Sequence, residues 1–473
     1  MARVVVIGAG TSGLVAAVAL ARAGHGVKLL ERDPRPEHVD ATNALTAWRR
    51  PGTPQALLPH GFMALARDLL AARMPDVLAA TIDAGALVFD LARSLPGDRV
   101  AADDELRVLF CRRPLFEAQL WRAVEREESI ELRAGTAAAG LLFDGKVDGR
   151  PRVVGVRTAT GEELRADVVI DACGRRSPVW TWLVDAGAPP TEPLTEECGL
   201  LYFSRYFALH RGASLPAAPW LWGPRVELPY AFAIVHLADR GVFSVTFCVP
   251  THDHELRVVR EPSAFDAVCA ALPPLAPWVA TETAGPISPV LAMGGLQNVL
   301  RPFVRDLLPL AVGLLPIGDT FCHTNAAYGW GVALGIAHAL AAADALDAHS
   351  DDPRAMARAY HARVWPEAEA RWRVSSEQDR ARGRLWRGET APMSDAPRAR
   401  TLAALMPAAM RDAHVFRAAM RFSALLDPAD ALLGDVALHE RARAVLAAAP
   451  PVARPPMPTR AELLAVAVRA AAP

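Results

Sequence analysis

The apolar positions near the start of the chain change their period twice. Residues 4–7 (Val4, Val5, Val6, Ile7) form an unbroken apolar run that stops at Gly8-Ala9-Gly10-Thr11-Ser12-Gly13; apolar positions then recur at helical spacing through Leu14, Val18, Leu20 and Ala21. After Gly24 and Gly26 a second run, residues 27–30, ends in Glu31. The pattern predicts a strand, a glycine turn, a helix and a second strand. Residues 33–59 are polar and irregular, and helical spacing returns over residues 63–74 until Pro75 stops it. Residues 106–113 read as a strand, and Pro114 fits the first turn of a helix over 115–128, where its missing N–H is not needed. Residues 153–157 and 163–164 flank a Thr160-Gly161 hairpin turn, and residues 167–172 form an apolar strand running into Cys173-Gly174-Arg175-Arg176-Ser177.

From residue 192 the texture changes. The segments 200–209, 230–236 and 241–249 are short, aromatic and partly alternating, as expected of an antiparallel sheet. Apolar strand character resumes over 308–317 and ends in Gly318-Asp319; a glycine-bearing loop, residues 325–331, leads into an alanine-rich helix over 332–348. Residues 352–473 alternate helical spacing with prolines and carry no catalytic motif. The expected fold is α/β: a Rossmann-like nucleotide-binding domain from residues 1–75, 100–190 and 286–350, an inserted antiparallel-sheet substrate domain from 76–99 and 191–285, and a helical C-terminal region over 351–473.

Each glycine of the first turn has its own physical task. Gly8 allows the tight turn out of the strand, Gly10 lets backbone approach a pyrophosphate, and Gly13 lets the helix lie close on the strand. The helix N-terminus beyond them offers free N–H groups and a partial positive charge to phosphates. Glu31 follows the middle glycine by about twenty residues, where a βαβ nucleotide unit places the acid that accepts from a ribose 2′-hydroxyl. Thr11, Ser12 and Arg32 flank these positions. The reading is an adenine dinucleotide site.

Composition narrows the setting. The chain has 473 residues and a net charge of −1, with no basic cluster interleaved with aromatics, so nucleic acid is not an expected partner. Its six cysteines, Cys111, Cys173, Cys198, Cys248, Cys269 and Cys322, form no CxxC pair and no metal-ligand spacing. No metal is expected, and the usage suits a reducing, cytoplasmic setting. The N-terminus enters a strand at once, and no apolar run reaches the roughly twenty residues of a membrane span.

Three separated stretches together carry a family resemblance: the GAGTSG turn with Glu31, the segment DVVIDACGRRSP at 167–178, and GDTFCHTNAAYGWG at 318–331 followed by a helix. In this order they resemble the FAD-dependent monooxygenases of the para-hydroxybenzoate hydroxylase fold, especially the bacterial natural-product epoxidase and oxygenase branch. Geranylgeranyl reductases and flavin halogenases are more distant relatives. The resemblance implies that Gly318 and Asp319 bind the ribityl or pyrophosphate region of FAD, and that Tyr328, Gly329, Trp330 and Gly331 bring backbone N–H groups to the flavin ring. It implies that Arg113 contacts the FAD phosphate and ribose, that Arg50 and His60, in an RxGxPQ…H stretch, lie near the flavin, and that Asp171 and Gly174 form a second fingerprint supporting FAD. His323 becomes a candidate acid or base at the flavin. Tyr202, Tyr206, Trp222, Tyr230, Phe232 and His236 are candidates for lining a substrate cavity in the inserted sheet.

What this implies is a monooxygenase that transfers one oxygen atom from O2, through a flavin hydroperoxide, to an apolar small molecule of secondary metabolism, by hydroxylation, epoxidation or Baeyer–Villiger insertion. Electrons would come from NAD(P)H or a partner flavin reductase. The alternative is an FAD-dependent reductase of the geranylgeranyl reductase type. A halogenase would need a lysine for hypohalous acid, and the chain offers Lys28 and Lys146 alone. Two departures stand out: Asn325-Ala326 where relatives read Asn-Pro, and Cys322 where aromatic hydroxylases carry a histidine.

Overall fold

The computed structural model describes residues 1–218, 223–389, 405–449 and 455–472. Its centre is a five-stranded parallel sheet in the order Leu314–Pro316, Val168–Asp171, Arg3–Ile7, Gly26–Glu31, Ile130–Ala134. Side chains alternate across a strand, and the first strand uses both faces. Val4 and Val6 join the large core beneath the helices Thr11–Arg22 and Gly331–Ala348, whereas Val5 and Ile7 pack with Val153, Val156 and Leu164 of an antiparallel meander on the opposite face. A strand buried on both sides reads as a continuous apolar run, which is why residues 4–7 show no alternation.

The helix Thr11–Arg22 lies against Gly331–Ala348 at a spacing set by small residues. The Ser12 hydroxyl sits between Gly318 and Gly335, and a Cβ on either glycine would come within 2.5 Å of it. Gly331–Ala348 is, among the described residues, the one helix whose length and hydropathy reach those of a membrane span. It is apolar all round because it is enclosed by protein.

Around this centre lie smaller sheets. Ala138–Val147, Arg150–Thr158 and Glu163–Arg165 form the meander, with Gly161 at φ +89° in the expected turn. A six-stranded antiparallel sheet follows, ordered Arg225–Leu228, Ala231–Leu237, Val242–Pro250, Leu200–Leu209, with Ala284–Pro286 and Leu291–Met293 both on the last of these. It is the sheet expected from the aromatic, alternating segments. The helices Ala64–Arg73, Arg113–Arg126 and Gly331–Ala348 match their expected spans to within two residues at each end. Below the sheets runs a 34-residue helix, Pro353–Trp386, followed by shorter helices through Arg460–Ala471.

Two expectations are corrected. Residues 308–317 are not one strand: Leu308–Pro309 pairs in a hairpin with Val304–Arg305, and the chain passes through Gly313 at φ +80° before Leu314–Pro316 joins the parallel sheet. The apolar run hid the break because both pieces are buried. Residues 76–99 do not join the six-stranded sheet either; Leu87–Asp90 pairs with Arg107–Phe110, which also pairs with Gly61–Phe62.

The close approach of strand and helix is testable. A Cβ on Gly13 would stand 1.8 Å from the Gly8 carbonyl oxygen, a backbone atom with nowhere to go. Overpacking typically costs about 1–3 kcal/mol, and here backbone must separate. Gly13→Ala is therefore expected to lower the urea midpoint of unfolding by at least that equivalent, whereas Gly24→Ala, with nothing near its missing Cβ but φ +89°, should cost only local strain. Equal midpoints for the two variants would contradict the packing argument.

Candidate functional site

One cavity of about 1370 Å³ runs from the first glycine turn to the six-stranded sheet. At its near end Gly8 turns the chain at φ +101°, and a Cβ there would meet the Ala172 carbonyl oxygen at 2.7 Å. Gly10 differs: among the described residues the nearest atom to its missing Cβ is a guanidinium nitrogen of Arg113 at 3.9 Å, so that space belongs to the cavity. At the start of the helix Thr11–Arg22, the Thr11 N–H and hydroxyl are both given to Glu117, at 3.1 and 2.8 Å. Among the described residues no backbone acceptor takes the Ser12 and Gly13 N–H groups. An open glycine cradle with unclaimed N–H groups fits a dinucleotide phosphate. Gly8, Gly10, Thr11, Ser12, Glu31, Arg32 and Arg113 line this end; Gly13 is turned away and serves helix packing.

Beneath the cradle lies a dry charge cluster. Arg50 donates to Glu31 (2.9 Å), to the Ala9 carbonyl (3.0 Å) and to Glu117 (2.5 Å), with its guanidinium 4.4 Å over Trp48. Glu117 also accepts from Arg113 at 2.8 Å. Burial pushes the Glu117 carboxyl up, but Arg113 and Arg50 beside it outweigh that and hold it down at about 2. Glu31 additionally accepts the N–H groups of Ala9 and Asp33, each at 2.9 Å, so it ties the glycine turn to the loop that follows. Arg50 is thus placed under the cradle and off the cavity wall, correcting the expectation that it stands beside the flavin. His60 does reach the wall: its Nδ1 donates to the Leu58 carbonyl at 2.8 Å, which leaves Nε2 to accept from Arg113 at 3.3 Å. Burial, then Arg113, press its pKa down to about 3, so it is a neutral imidazole.

The middle of the cavity is formed by the other two motifs. Asp171 is fully buried and does not face the cavity; it accepts from the Cys173 N–H at 3.0 Å and the Ser177 hydroxyl at 2.6 Å, fixing the turn that presents Gly174. Gly174, at φ +74°, is linked to Thr320, which joins this turn to Gly318-Asp319. Gly318 itself packs on Ser12 and leaves Asp319 to line the wall. Tyr328, Gly329 and Gly331 follow, Gly329 at φ +70° under the Met63 side chain. The helix Gly331–Ala348 opens there without a side-chain cap, and nothing lies nearer a Gly331 Cβ than Asp319 Oδ1 at 3.9 Å. This is the end of a helix dipole open to an electron-rich group. His323, beside Asp319, is buried with its Nδ1 unpartnered, and burial presses its pKa to about 4.

At the far end, Phe232, Ile234 and His236 alternate along one strand and face the cavity with Tyr202, Ser204 and Thr246. The Tyr202 hydroxyl is engaged with Asn325 and accepts from the Ala327 N–H at 3.0 Å, so it steadies the loop at 325–331. His236 is kept neutral by burial, at about 4. Tyr206 points into a separate core with Ala238 and Val242, and Tyr230 donates to the Pro458 carbonyl at 2.7 Å; neither lines the cavity, which corrects both expectations. A two-residue period identifies a face, but not which face is enclosed. Trp222 lies outside the described residues. Met406, Met410, Met420, Phe422 and Met457 close the chamber from the C-terminal region, a contribution the sequence reading missed; the clustered methionines were its signal. Among the described residues no group of His, Cys, Asp and Glu is arranged to hold a metal, and the cysteines are unpaired.

Comparison with known proteins agrees with this geometry. Residues 3–146 match the family model for FAD dependent oxidoreductases. No curated protein matches the sequence. Among solved structures, the fold is similar to that of PqsL, a probable FAD-dependent monooxygenase from Pseudomonas aeruginosa, at 18% identity and a TM-score of 0.59, over 82% of this chain and 99% of that one. It is also similar to the flavin-dependent brominase Bmp2 (15% identity, TM-score 0.60, 93% of this chain and 98% of that one). The myxobacterial chondrochloren halogenase CndH matches at 17% identity and a TM-score of 0.60, over 95% of this chain and 98% of that one. The family match is confined to residues 3–146, and the fold is shared with a flavin monooxygenase and flavin halogenases.

The buried imidazoles carry a pH signature. His60 at about 3 and His236, His323 and His338 at about 4 all lie below the ordinary 6.5, so below that pH the unfolded chain binds protons that the folded chain refuses. Stability should be full above pH 6.5 and fall as pH drops toward 4, each group contributing up to about 1.4 kcal/mol per pH unit. His338→Leu, which removes an imidazole with an unpartnered Nδ1 packed on Phe321, is expected to flatten the fall between pH 6.5 and 5 by about one group's share. Urea unfolding at both pH values checks this.

Proposed function

We propose that the chain is a flavin-dependent monooxygenase acting on an apolar small molecule. The observation that carries this reading is the continuity of one cavity from the nucleotide cradle to the chamber under the six-stranded sheet. Its 1370 Å³ exceeds the roughly 300–1,000 Å³ of a single small-molecule pocket, which leaves room for a substrate beside a dinucleotide. Gly10, Glu31, Arg113, Asp319 and Gly331 would hold FAD. When bound and reduced by NAD(P)H or a partner reductase, it supplies the activation of O2: one oxygen atom enters the substrate and the other leaves as water, with two electrons and two protons taken up.

The residues of the chain do the rest. Phe232, Ile234, Met410, Met420 and Phe422 keep water out of the chamber and orient an apolar substrate. His323 and His236 are neutral, and each can accept or return a proton within the cavity. The open N-terminus of Gly331–Ala348 favours negative charge where the glycine loop meets the cavity. The halogenase reading is less well supported: Lys28 pairs with Glu131, Lys146 is on the exposed meander, and neither faces the cavity.

Protein loaded with FAD and supplied with NADPH, NADH or a flavin reductase is expected to place one heavy oxygen atom, from isotopically labelled O2, into an apolar polyene or polycyclic aromatic probe. Reduction of a probe double bond without oxygen consumption would instead establish the reductase alternative. Gly10→Val and Asp319→Ala are expected to purify without flavin; normal flavin occupancy in either would sink the assignment of the site.

A further inference from the structure

The loop at 325–331 has no proline to stiffen it, since Ala326 follows Asn325. Its order comes from outside, from Tyr202 on the sheet and from one buried carboxylate on the long helix Pro353–Trp386. Asp379, 4% exposed, accepts from Asn325 Nδ2 at 2.7 Å, Asn298 Nδ2 at 2.8 Å, the Tyr328 hydroxyl at 3.1 Å and Arg382 at 2.8 Å. Asn298 and Ser375, both fully buried, complete the clamp by accepting the Asn325 N–H at 2.7 and 3.1 Å. Arg382 also donates to the Tyr328 hydroxyl at 3.0 Å and lies 5.3 Å over Phe232, a ring of the chamber wall. The Tyr328 ring in turn stacks on Trp330, 5.0 Å away, just before the helix N-terminus opens at Gly331.

We propose that Asp379 is a positioning residue for the cofactor: through Asn325, Tyr328 and Arg382 it sets the loop and helix N-terminus against which the flavin ring is held. This assignment rests on the flavin reading above. It adds that the C-terminal helix, which carries no recognisable motif, controls how tightly FAD is held and how readily it is reduced. Burial raises the Asp379 pKa, and the four donors around it, Arg382 foremost, act against that rise. Replacing that carboxylate by an amide leaves Arg382, which lines the cavity, with its charge no longer paired. A positive charge there favours the reduced flavin, which carries negative charge.

The test uses the purified full-length chain and FAD, with affinity and midpoint potential as readouts that do not depend on turnover. Asp379→Asn is expected to bind FAD about tenfold more weakly and to shift the two-electron equilibrium about tenfold toward reduced flavin, which is about 30 mV. The double variant Asp379→Asn/Arg382→Gln loses both charges, so its potential should return to the wild-type value while its affinity stays weak. Tyr328→Phe deletes a single donor and is expected to lower affinity with no change in potential. Wild-type affinity and potential in folded Asp379→Asn would overturn the assignment; if that variant does not fold, unchanged FAD affinity in Tyr328→Phe overturns it instead. Wild-type protein that takes up no FAD defeats the flavin reading itself.

Discussion

Glu117 sits in a dry interior between two guanidinium groups, and the nucleotide end of the molecule is built on that arrangement. A lone buried carboxylate or guanidinium is strongly unfavourable, and a buried pair is offset only when its remaining lone pairs and protons are satisfied. Here Glu117 takes donors from Thr11, Arg50 and Arg113, and Arg50 is shared with Glu31 and the Ala9 carbonyl, its Nε alone lacking a hydrogen bond and facing Asp33 at 4.0 Å. One cluster therefore joins the glycine turn, the helix Arg113–Arg126, the second strand of the parallel sheet and the long loop after it. Arg113 has one side in the cluster and the other toward His60 and the cavity, so the buried charges are coupled to the wall that a ligand would touch.

Such a cluster explains why the first motif was legible and its surroundings were not. The glycine turn is a local requirement of backbone geometry: Gly8 needs its positive φ, and Gly13 cannot carry a Cβ, so both appear in the sequence at fixed spacing. The same locality made the parallel strands Arg3–Ile7, Gly26–Glu31 and Val168–Asp171, the hairpin at Gly161 and the chamber sheet readable. Arg50 is different, because its partners Glu31 and Glu117 are distant in sequence and nothing near residue 50 records them. Asp171 follows the same rule: its chemistry looks ligand-directed in the motif, yet its oxygens close a turn.

The chamber was legible as a class of surface, though not residue by residue. Alternation put Tyr202, Tyr206, Phe232 and His236 on strands, but the twist of the sheet and the helices packed on it decide which of them meet open space. Tyr206 and Tyr230 were turned elsewhere by neighbours far along the chain. The wall supplied by Met410, Met420 and Phe422 lay hidden for the same reason: flexible apolar side chains fill an irregular space without any sequence period announcing it.

The C-terminal helix Arg460–Ala471 packs on Pro262–Ala271, and Arg460 binds Asp253 at 2.7 Å. Taken with the sheet order, this has a consequence for biosynthesis. The strand Leu314–Pro316 forms one edge of the parallel sheet, so the nucleotide unit is completed only after most of the chain has left the ribosome. The chamber closes later still, when residues beyond 400 arrive to cover a sheet made long before. In the interval that sheet has the end of the helix Pro353–Trp386 against it, with Trp386 stacked on Phe232, but lacks the methionine wall, and contacts this distant form slowly. Burial of the chamber therefore waits on the segment that carries Met406, Met410 and Met420.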